Sequence, residues 1–212
     1  MNRMVSVITA ARTGPRRETL RATIASVDAQ TYRPLEHWII FDGPSGLRRS
    51  EPPPGADPGR GVERHVLELG RRWHPITHGS WGLEALAVGL YLLCRGTWAC
   101  FVADDDAIAP DHVEHLVAAI RSDGGYEYAL CAVGYANGTV VGDGTITEFR
   151  VGDSMILFRV DDYSRAPHRV GGLTMDYEWL SRFTAGKRGI FTGRPTYLAR
   201  PHDPAYPFPT EV

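Results

Sequence analysis

Three consecutive carboxylates, Asp104, Asp105 and Asp106, follow the apolar stretch 100–103. Like charges side by side repel one another, so this arrangement calls for a positive partner. Mg²⁺ and Mn²⁺ prefer oxygen ligands and commonly complete their coordination with water and substrate phosphates. The triplet therefore indicates a metal site whose cation also carries a diphosphate. The alternative is an acidic loop that caps the helix starting at Pro110, for which one aspartate would be enough.

Two further polar residues stand where apolar runs end. Thr9 closes the β-branched run 4–9, and Asp42 follows the run 37–41. In open α/β sheets, ligands bind at the carboxyl ends of the strands. If these runs are parallel strands of one sheet, Thr9, Asp42 and the aspartate triplet converge on one crevice.

The pattern of apolar residues predicts such a sheet. Strand-like runs lie at 4–9, 37–41 and 98–103, and helical periodicity lies at 18–30, 82–96 and 111–120. Alternating strands and helices are typical of a right-handed parallel α/β sheet. The second half is mixed: a hairpin around Asn137–Gly138, a strand over 154–160, a helix over 174–183 and short strands near Ile190 and Tyr197. We expect the α/β first half to bind the ligand and the mixed second half to determine which substrate is selected.

Between these elements, residues 44–61 are crowded with proline and glycine and predict a mobile loop. The segment 62–69 has no clear pattern.

Composition excludes several function classes. The formal net charge of −2 provides no basic field for nucleic acid and no polybasic membrane anchor. No apolar run reaches the length of about 18 residues that a membrane span needs. The three cysteines, Cys94, Cys100 and Cys131, lie in apolar stretches without metal-ligand spacing, which predicts reduced thiols and a cytoplasmic location.

Four segments, in chain order, resemble family 2 glycosyltransferases of the GT-A fold. Residues 5–46 resemble that family's opening strand, its helix ending in S-x-x-x-Q-T-Y and its second strand ending in D-G-S. "GTWACFVADDDAIAP" resembles its D-x-D-D segment, "GGLTMDYEWLSRF" its G-G-F…E-D-x-x-L-x-x-R helix, and "YLARPH" its late Y-R-x-H.

The resemblance implies one GT-A-type (Rossmann-like) α/β domain over residues 1–212. Its mostly parallel central sheet would be flanked by helices, with a smaller mixed C-terminal region on the acceptor side. Residues 1–110 would form the nucleotide-sugar-binding half, and residues 111–212 the acceptor-side half.

The resemblance also implies roles for individual residues. Thr9, Ala11 and Asp42 would contact the nucleotide, Asp104 would face the ribose, Asp105 would bind the metal, and Asp106 would support it. The family's first motif aspartate falls here on Ala103, and the family's A-R-N segment is replaced by "ALAVGL". His78, Trp81 and Arg95 are the candidates to replace the missing arginine as phosphate contacts.

Two further residues have alternative interpretations. Trp81 either stacks on the base or sugar of the donor or packs in the core. His202 is either a third metal ligand, a phosphate contact, or a surface residue of the proline-rich tail.

An inverting transferase also needs a base that takes the proton of the acceptor hydroxyl. Asp176 shares a helical face with three apolar residues, Trp179, Leu180 and Phe183, and is expected to point inward. Glu178 is expected to point outward, four residues before Arg182, as in an ordinary solvated ion pair. Asp176 is therefore the candidate base. The alternative is that Asp176 is only an acidic residue in the first turn of the helix, beside Thr174, without a catalytic role.

The predicted activity is metal-dependent, inverting transfer of a sugar from a UDP-, GDP- or dTDP-linked donor to an acceptor hydroxyl, with Mn²⁺ or Mg²⁺ as cofactor. Two alternatives remain open. One is a sugar-nucleotide nucleotidyltransferase, for which "TAARTGPRRE" is a poor phosphate loop. The other is a nucleotide- or metal-binding module of the same fold without catalysis.

Overall fold

The computed structural model of the protein describes residues 3–11, 17–41, 43, 61–70, 83–148, 150–168 and 175–203. The loop predicted over 44–61 lies outside the described residues except for its last position. The statements below refer to the described ranges.

The first half forms a parallel sheet, as its pattern predicts. Strand β1 (Val5–Ala11) lies between β2 (Leu35–Phe41) and β4 (Trp98–Phe101) and runs parallel to both. The segment without a clear pattern is a strand as well: β3 (Val62–Glu68) pairs in parallel with β2. Helix α1 (Arg17–Asp28) connects β1 to β2, and helix α2 (Leu83–Val88) continues as a π-helical turn over Gly89–Leu93 before β4.

The second half completes the sheet through one antiparallel strand. Its elements are β5 (Ala107–Ile108), α3 (His112–Arg121), β6 (Tyr128–Tyr135), β7 (Val140–Val141), a 3₁₀ turn (Asp153–Met155), β8 (Ile156–Arg159), α4 (Val160–Tyr163), α5 (Met175–Thr184) and β9 (Gly189–Ala199). The strand order is β3-β2-β1-β4-β8-β6-β9-β5, with β7 beside β6.

Strand directions confirm the mostly parallel sheet. Because β8 is antiparallel to both β4 and β6, strand β6 points the same way as β1 to β4. Strand β9 is parallel to β6, so six of the nine strands share one direction. The predicted hairpin is also present, since β6 and β7 pair across Asn137–Gly138.

One strand prediction is wrong. The short strands expected near Ile190 and Tyr197 are a single strand, β9, of 11 residues. Gly193 and Pro195 interrupt the apolar pattern, but β9 pairs with β6 on both sides of a local register shift. Pairing with a central strand therefore maintains the extended conformation where the local sequence does not indicate it.

An aromatic cluster docks α5 on the sheet and confirms the predicted inward face of that helix. Trp179, Leu180 and Phe183 are buried, whereas Glu178 is exposed. The Phe158 ring of β8 lies 5.5 Å from the Trp179 ring and 5.3 Å from the Phe183 ring, measured between centroids. This packing fixes the rotation of α5 and so the direction of Asp176 at its start.

Two composition-based expectations agree with the structure. All three cysteines are free, and Cys100 and Cys131 are buried. None of the helices within the described ranges has the length and apolar character that crossing a membrane requires.

Candidate functional site

The aspartate triplet forms a turn at the carboxyl edge of the parallel sheet. Beyond the end of β4, the Val102 N–H still donates to the Ile8 carbonyl of β1 at 3.0 Å. The turn over 104–106 follows directly, and the chain then returns through β5, which pairs with the end of β9. The triplet is thus positioned between the end of β4 and the end of β9.

Asp106 is held from two directions by groups at the end of β9. The Tyr197 hydroxyl donates to its Oδ2 at 2.5 Å, and the Arg200 backbone N–H donates to its Oδ1 at 2.8 Å. Burial raises the pKa of Asp106 to about 6, although these two hydrogen bonds act in the opposite direction. The carboxylate is therefore kept in one orientation at an energetic cost.

Asp105 has a basic partner in this structure. The Arg200 guanidinium Nε lies 3.2 Å from Asp105 Oδ2. Asp104 is only 4% exposed. Arg200 thus supplies a positive charge next to the triplet.

The donor atoms of this turn suit a hard divalent cation. Within the described ranges, no group of three or more His, Cys, Asp or Glu side chains is arranged to hold a metal by itself. When Mg²⁺ or Mn²⁺ binds together with a substrate phosphate, commonly only one or two protein carboxylates coordinate it. Phosphate and water oxygens then complete the coordination shell of the cation. Asp105 and Asp106 fit this second kind of site.

Asp153 and Asp176 form a second pair of carboxyl groups, in the second half of the chain. Asp176, in the first turn of α5, accepts a hydrogen bond from the backbone N–H of Asp153 in the 3₁₀ turn. Burial and the neighbouring Asp153 carboxylate together raise the pKa of Asp176 to about 8. This carboxyl group is thus a stronger base than an ordinary aspartate.

Asp153 has a partner of its own in His168. His168 Nε2 lies 3.4 Å from Asp153 Oδ2, and the side chain of His168 is 2% exposed. Its ring stacks on Trp179 with centroids 4.1 Å apart, and its Nδ1 lies 3.1 Å from the Tyr163 hydroxyl. The sequence analysis missed Asp153 and His168 because neither belongs to a motif and only the tertiary packing brings them to Asp176.

Tyr197 connects the two carboxylate pairs. Its buried hydroxyl contacts Asp106, accepts from the Ala103 N–H at 3.2 Å and is hydrogen-bonded to the Ser154 side chain. Ser154 is next to Asp153 in the 3₁₀ turn. A continuous path of contacts therefore runs from the aspartate turn to the Asp153–Asp176 pair.

The residues predicted on β1 lie in the core. Thr9 is completely buried, and its hydroxyl is 3.0 Å from His37 Nε2. Ala11 is 1% exposed and belongs to a small apolar cluster with Leu20, Ile24, Ile39 and Phe41. Both residues lie on a central strand of the sheet, between β2 and β4, and their contact with the nucleotide stays a prediction.

The other predicted residues divide into three groups. Asp42, Trp81, His78 and Thr174 lie outside the described residues. His202 is exposed, two residues after Arg200, and its role stays a prediction. Arg95 pairs with Glu36 and Glu63 at the amino-terminal ends of β2 and β3, which is the opposite edge of the sheet from the aspartate turn.

The architecture and the site define an α/β protein with a carboxylate-rich turn at the carboxyl ends of its parallel strands, where open α/β sheets bind their ligands. Neither a protein-family model nor a curated protein sequence matches the chain. Solved structures do match it in fold.

TarS from S. aureus superposes with a TM-score of 0.66 at 15% identity, covering 92% of this chain and 36% of that chain. A shorter form of TarS in complex with UDP superposes with a TM-score of 0.64 at 15% identity, covering 92% of this chain and 60% of that chain. The mannosyltransferase PcManGT from Pyrobaculum calidifontis, in complex with GDP-Man and Mn²⁺, superposes with a TM-score of 0.64 at 14% identity. The match covers 92% of this chain and 56% of that chain. The chain thus spans about a third to three fifths of the length of these structures and shares their fold.

The raised pKa of Asp176 predicts an unusual dependence of stability on pH. The folded-state pKa of about 8 lies above the usual 3.8, so the stabilisation by the protonated carboxyl is complete below about pH 4 and is lost as the pH rises to about 8. In Asp176→Asn this loss is absent. We expect the variant to exceed the wild type in free energy of unfolding at about pH 8 by more than about 1 kcal/mol, since one pKa unit is worth about 1.4 kcal/mol.

Urea unfolding in EDTA, between about pH 5 and about pH 8, measures this difference. Glu178→Gln on the exposed face of the same helix is the matched control and should follow the wild type. Identical pH slopes for Asp176→Asn and the wild type would mean that Asp176 ionises as a surface carboxyl group does.

Proposed function

We propose that the protein is a metal-dependent, inverting glycosyltransferase that moves a sugar from a nucleoside-diphosphate donor to an acceptor hydroxyl. One observation carries the proposal: Tyr197 and Ser154 join two carboxylate pairs, one with the oxygen ligands of a cation site and one with the raised pKa of a base. The shared fold with a mannosyltransferase whose complex contains GDP-Man and Mn²⁺ supports it.

The aspartate turn is the proposed donor side. Asp105 and Asp106 would hold Mn²⁺ or Mg²⁺, which when bound would offset the charge of the departing diphosphate. Asp104 would contact the ribose. The other proposed contacts of the donor or the metal are Thr9, Ala11, Asp42, Trp81 and His202. Complexes of the TarS structures with UDP and UDP-GlcNAc support a nucleoside diphosphate as the ligand.

The Asp153–Asp176 pair is the proposed acceptor side. As the acceptor oxygen forms its bond to the anomeric carbon and the bond from that carbon to the diphosphate breaks, Asp176 takes the hydroxyl proton. The Asp153 charge raises the pKa of Asp176 and so strengthens it as a base. Asp153 is thereby a positioning and tuning residue. The cytoplasmic location indicated by the cysteines is part of the same proposal.

Asp105→Ala tests the donor side. We expect UDP or GDP to bind the wild type in the presence of Mn²⁺ and only weakly in EDTA, and the variant to lose the Mn²⁺-dependent part because it lacks one anionic ligand. Isothermal titration calorimetry measures both affinities. Asp161→Ala, which removes an exposed carboxylate on α4, is the control. Unchanged Mn²⁺-dependent binding in Asp105→Ala would locate the metal elsewhere.

Asp176→Asn tests the acceptor side. We expect its affinity for donor and Mn²⁺ to be retained, while turnover falls by about 10²- to 10⁴-fold because the substitution is nearly isosteric but removes the base. Steady-state transfer from the donor that binds measures the effect, with Glu178→Gln as the matched control. Asp153→Asn should move the rising limb of the pH–rate profile to lower pH, because it removes the charge that raises the pKa of Asp176.

The outcomes separate the alternatives. An inactive Glu178→Gln beside an active Asp176→Asn would exchange the roles of the two residues. Normal transfer by both variants would place the base outside α5. Donor binding without any transfer or hydrolysis by the wild type would instead make the protein a nucleotide-binding module.

A further inference from the structure

Arg200 contacts two members of the aspartate triplet with different parts of the residue. Its backbone N–H donates to Asp106 Oδ1 at 2.8 Å, and its guanidinium Nε lies 3.2 Å from Asp105 Oδ2. The side chain of Arg200 is 30% exposed, compared with 12% for Asp105, so this ion pair lies at the boundary between the site and solvent. Arg200 directly follows β9. The pairing of the end of β9 with β5 fixes the position of the Arg200 backbone.

The backbone of Arg200 is held in an unfavourable conformation. Its φ of 41° makes it the only non-glycine residue with a positive φ within the described ranges. This region of φ/ψ space is energetically unfavourable for an arginine, whereas glycine and asparagine occupy it more readily. Hydrogen bonds at both of its backbone groups, to Asp106 and from Asp203 N–H, maintain the conformation. Local strain of this kind is typical of residues whose position matters for function.

A guanidinium carries a permanent positive charge in proteins. A divalent cation bound at Asp105 and Asp106 would therefore lie next to a permanent positive charge and repel it. A diphosphate bound at the same cation offers a new anionic partner. The planar guanidinium matches phosphate oxygens in a bidentate manner.

We propose that Arg200 is a diphosphate-binding residue of this site. In the protein without ligand, its guanidinium neutralises Asp105; when the cation and the diphosphate bind, it leaves Asp105 and contacts the diphosphate. This inference rests on the proposed function and gives a role to the arginine of "YLARPH", for which the motif alone predicts none. It makes the Arg200–Asp105 ion pair a competitor of metal binding and a contributor to diphosphate binding.

Arg200→Asn separates the side chain from the backbone. Asparagine tolerates a positive φ and retains the N–H to Asp106, but it lacks the guanidinium. We expect the affinity for UDP or GDP in Mn²⁺ to fall by about 10- to 100-fold, the usual value of a charged hydrogen bond, as measured by calorimetry. The affinity for the nucleoside alone should be unchanged. Mn²⁺ alone, followed by electron paramagnetic resonance of the free ion, should bind more tightly than to the wild type because its competitor is gone.

Arg194→Asn is the matched control. Arg194 belongs to β9, is half exposed and pairs with Asp111 at 2.8 Å, so its loss should leave all three affinities unchanged. Arg200→Lys should recover part of the diphosphate affinity, since it retains the charge without the planar fork.

Four results would overturn the inference. Wild-type affinity of Arg200→Asn for UDP and GDP would exclude the diphosphate contact, and an equal loss for nucleoside and diphosphate would point to the base or the fold instead. Unchanged or weaker binding of Mn²⁺ alone would exclude the competition. A wild type that binds neither nucleotide would overturn the proposed function itself, and the role of Arg200 with it.

Discussion

The hydrogen bond from the buried Tyr197 hydroxyl to Asp106 is the contact on which the rest of the site depends. It joins the end of β9 to the turn after β4, and the same hydroxyl contacts Ser154 in the 3₁₀ turn before β8. Three segments far apart in the chain are thus held together at one oxygen atom. This contact therefore helps to fix the position of the aspartate turn relative to the Asp153–Asp176 pair.

The constraint behind this arrangement is electrostatic. Five carboxyl groups lie along one edge of the sheet: three are in the aspartate turn, and two, Asp153 and Asp176, are in the 3₁₀ turn and the first turn of α5. The fold relieves their repulsion by separate means: the Arg200 guanidinium pairs with Asp105, and burial raises the pKa values of Asp106 and Asp176. The two raised pKa values mean that ionising Asp106 or Asp176 costs stability, and such perturbed groups cluster at functional sites.

Much of the fold could be predicted from the sequence because its signals are local. The parallel strands, the inward face of α5 and the hairpin at Asn137–Gly138 follow from apolar periodicity and turn chemistry. The continuity of β9 could not be predicted, because it depends on pairing with β6. The burial of Thr9 could not be predicted either, because it depends on the central place of β1 in the sheet. Asp153 and His168 were missed for the same reason, since tertiary packing alone brings them to Asp176. Arg200 stands in the "YLARPH" segment, but its contacts with Asp105 and Asp106 are visible only in the structure.

The central claim is that the aspartate turn binds a diphosphate through a divalent cation. Crystals of the protein grown with Mn²⁺ and UDP or GDP, measured at the manganese absorption edge, test it most directly. The account predicts an anomalous peak between the Asp105 and Asp106 carboxylates and the diphosphate. A nucleotide bound at the turn without manganese, or manganese bound away from both aspartates, would contradict it.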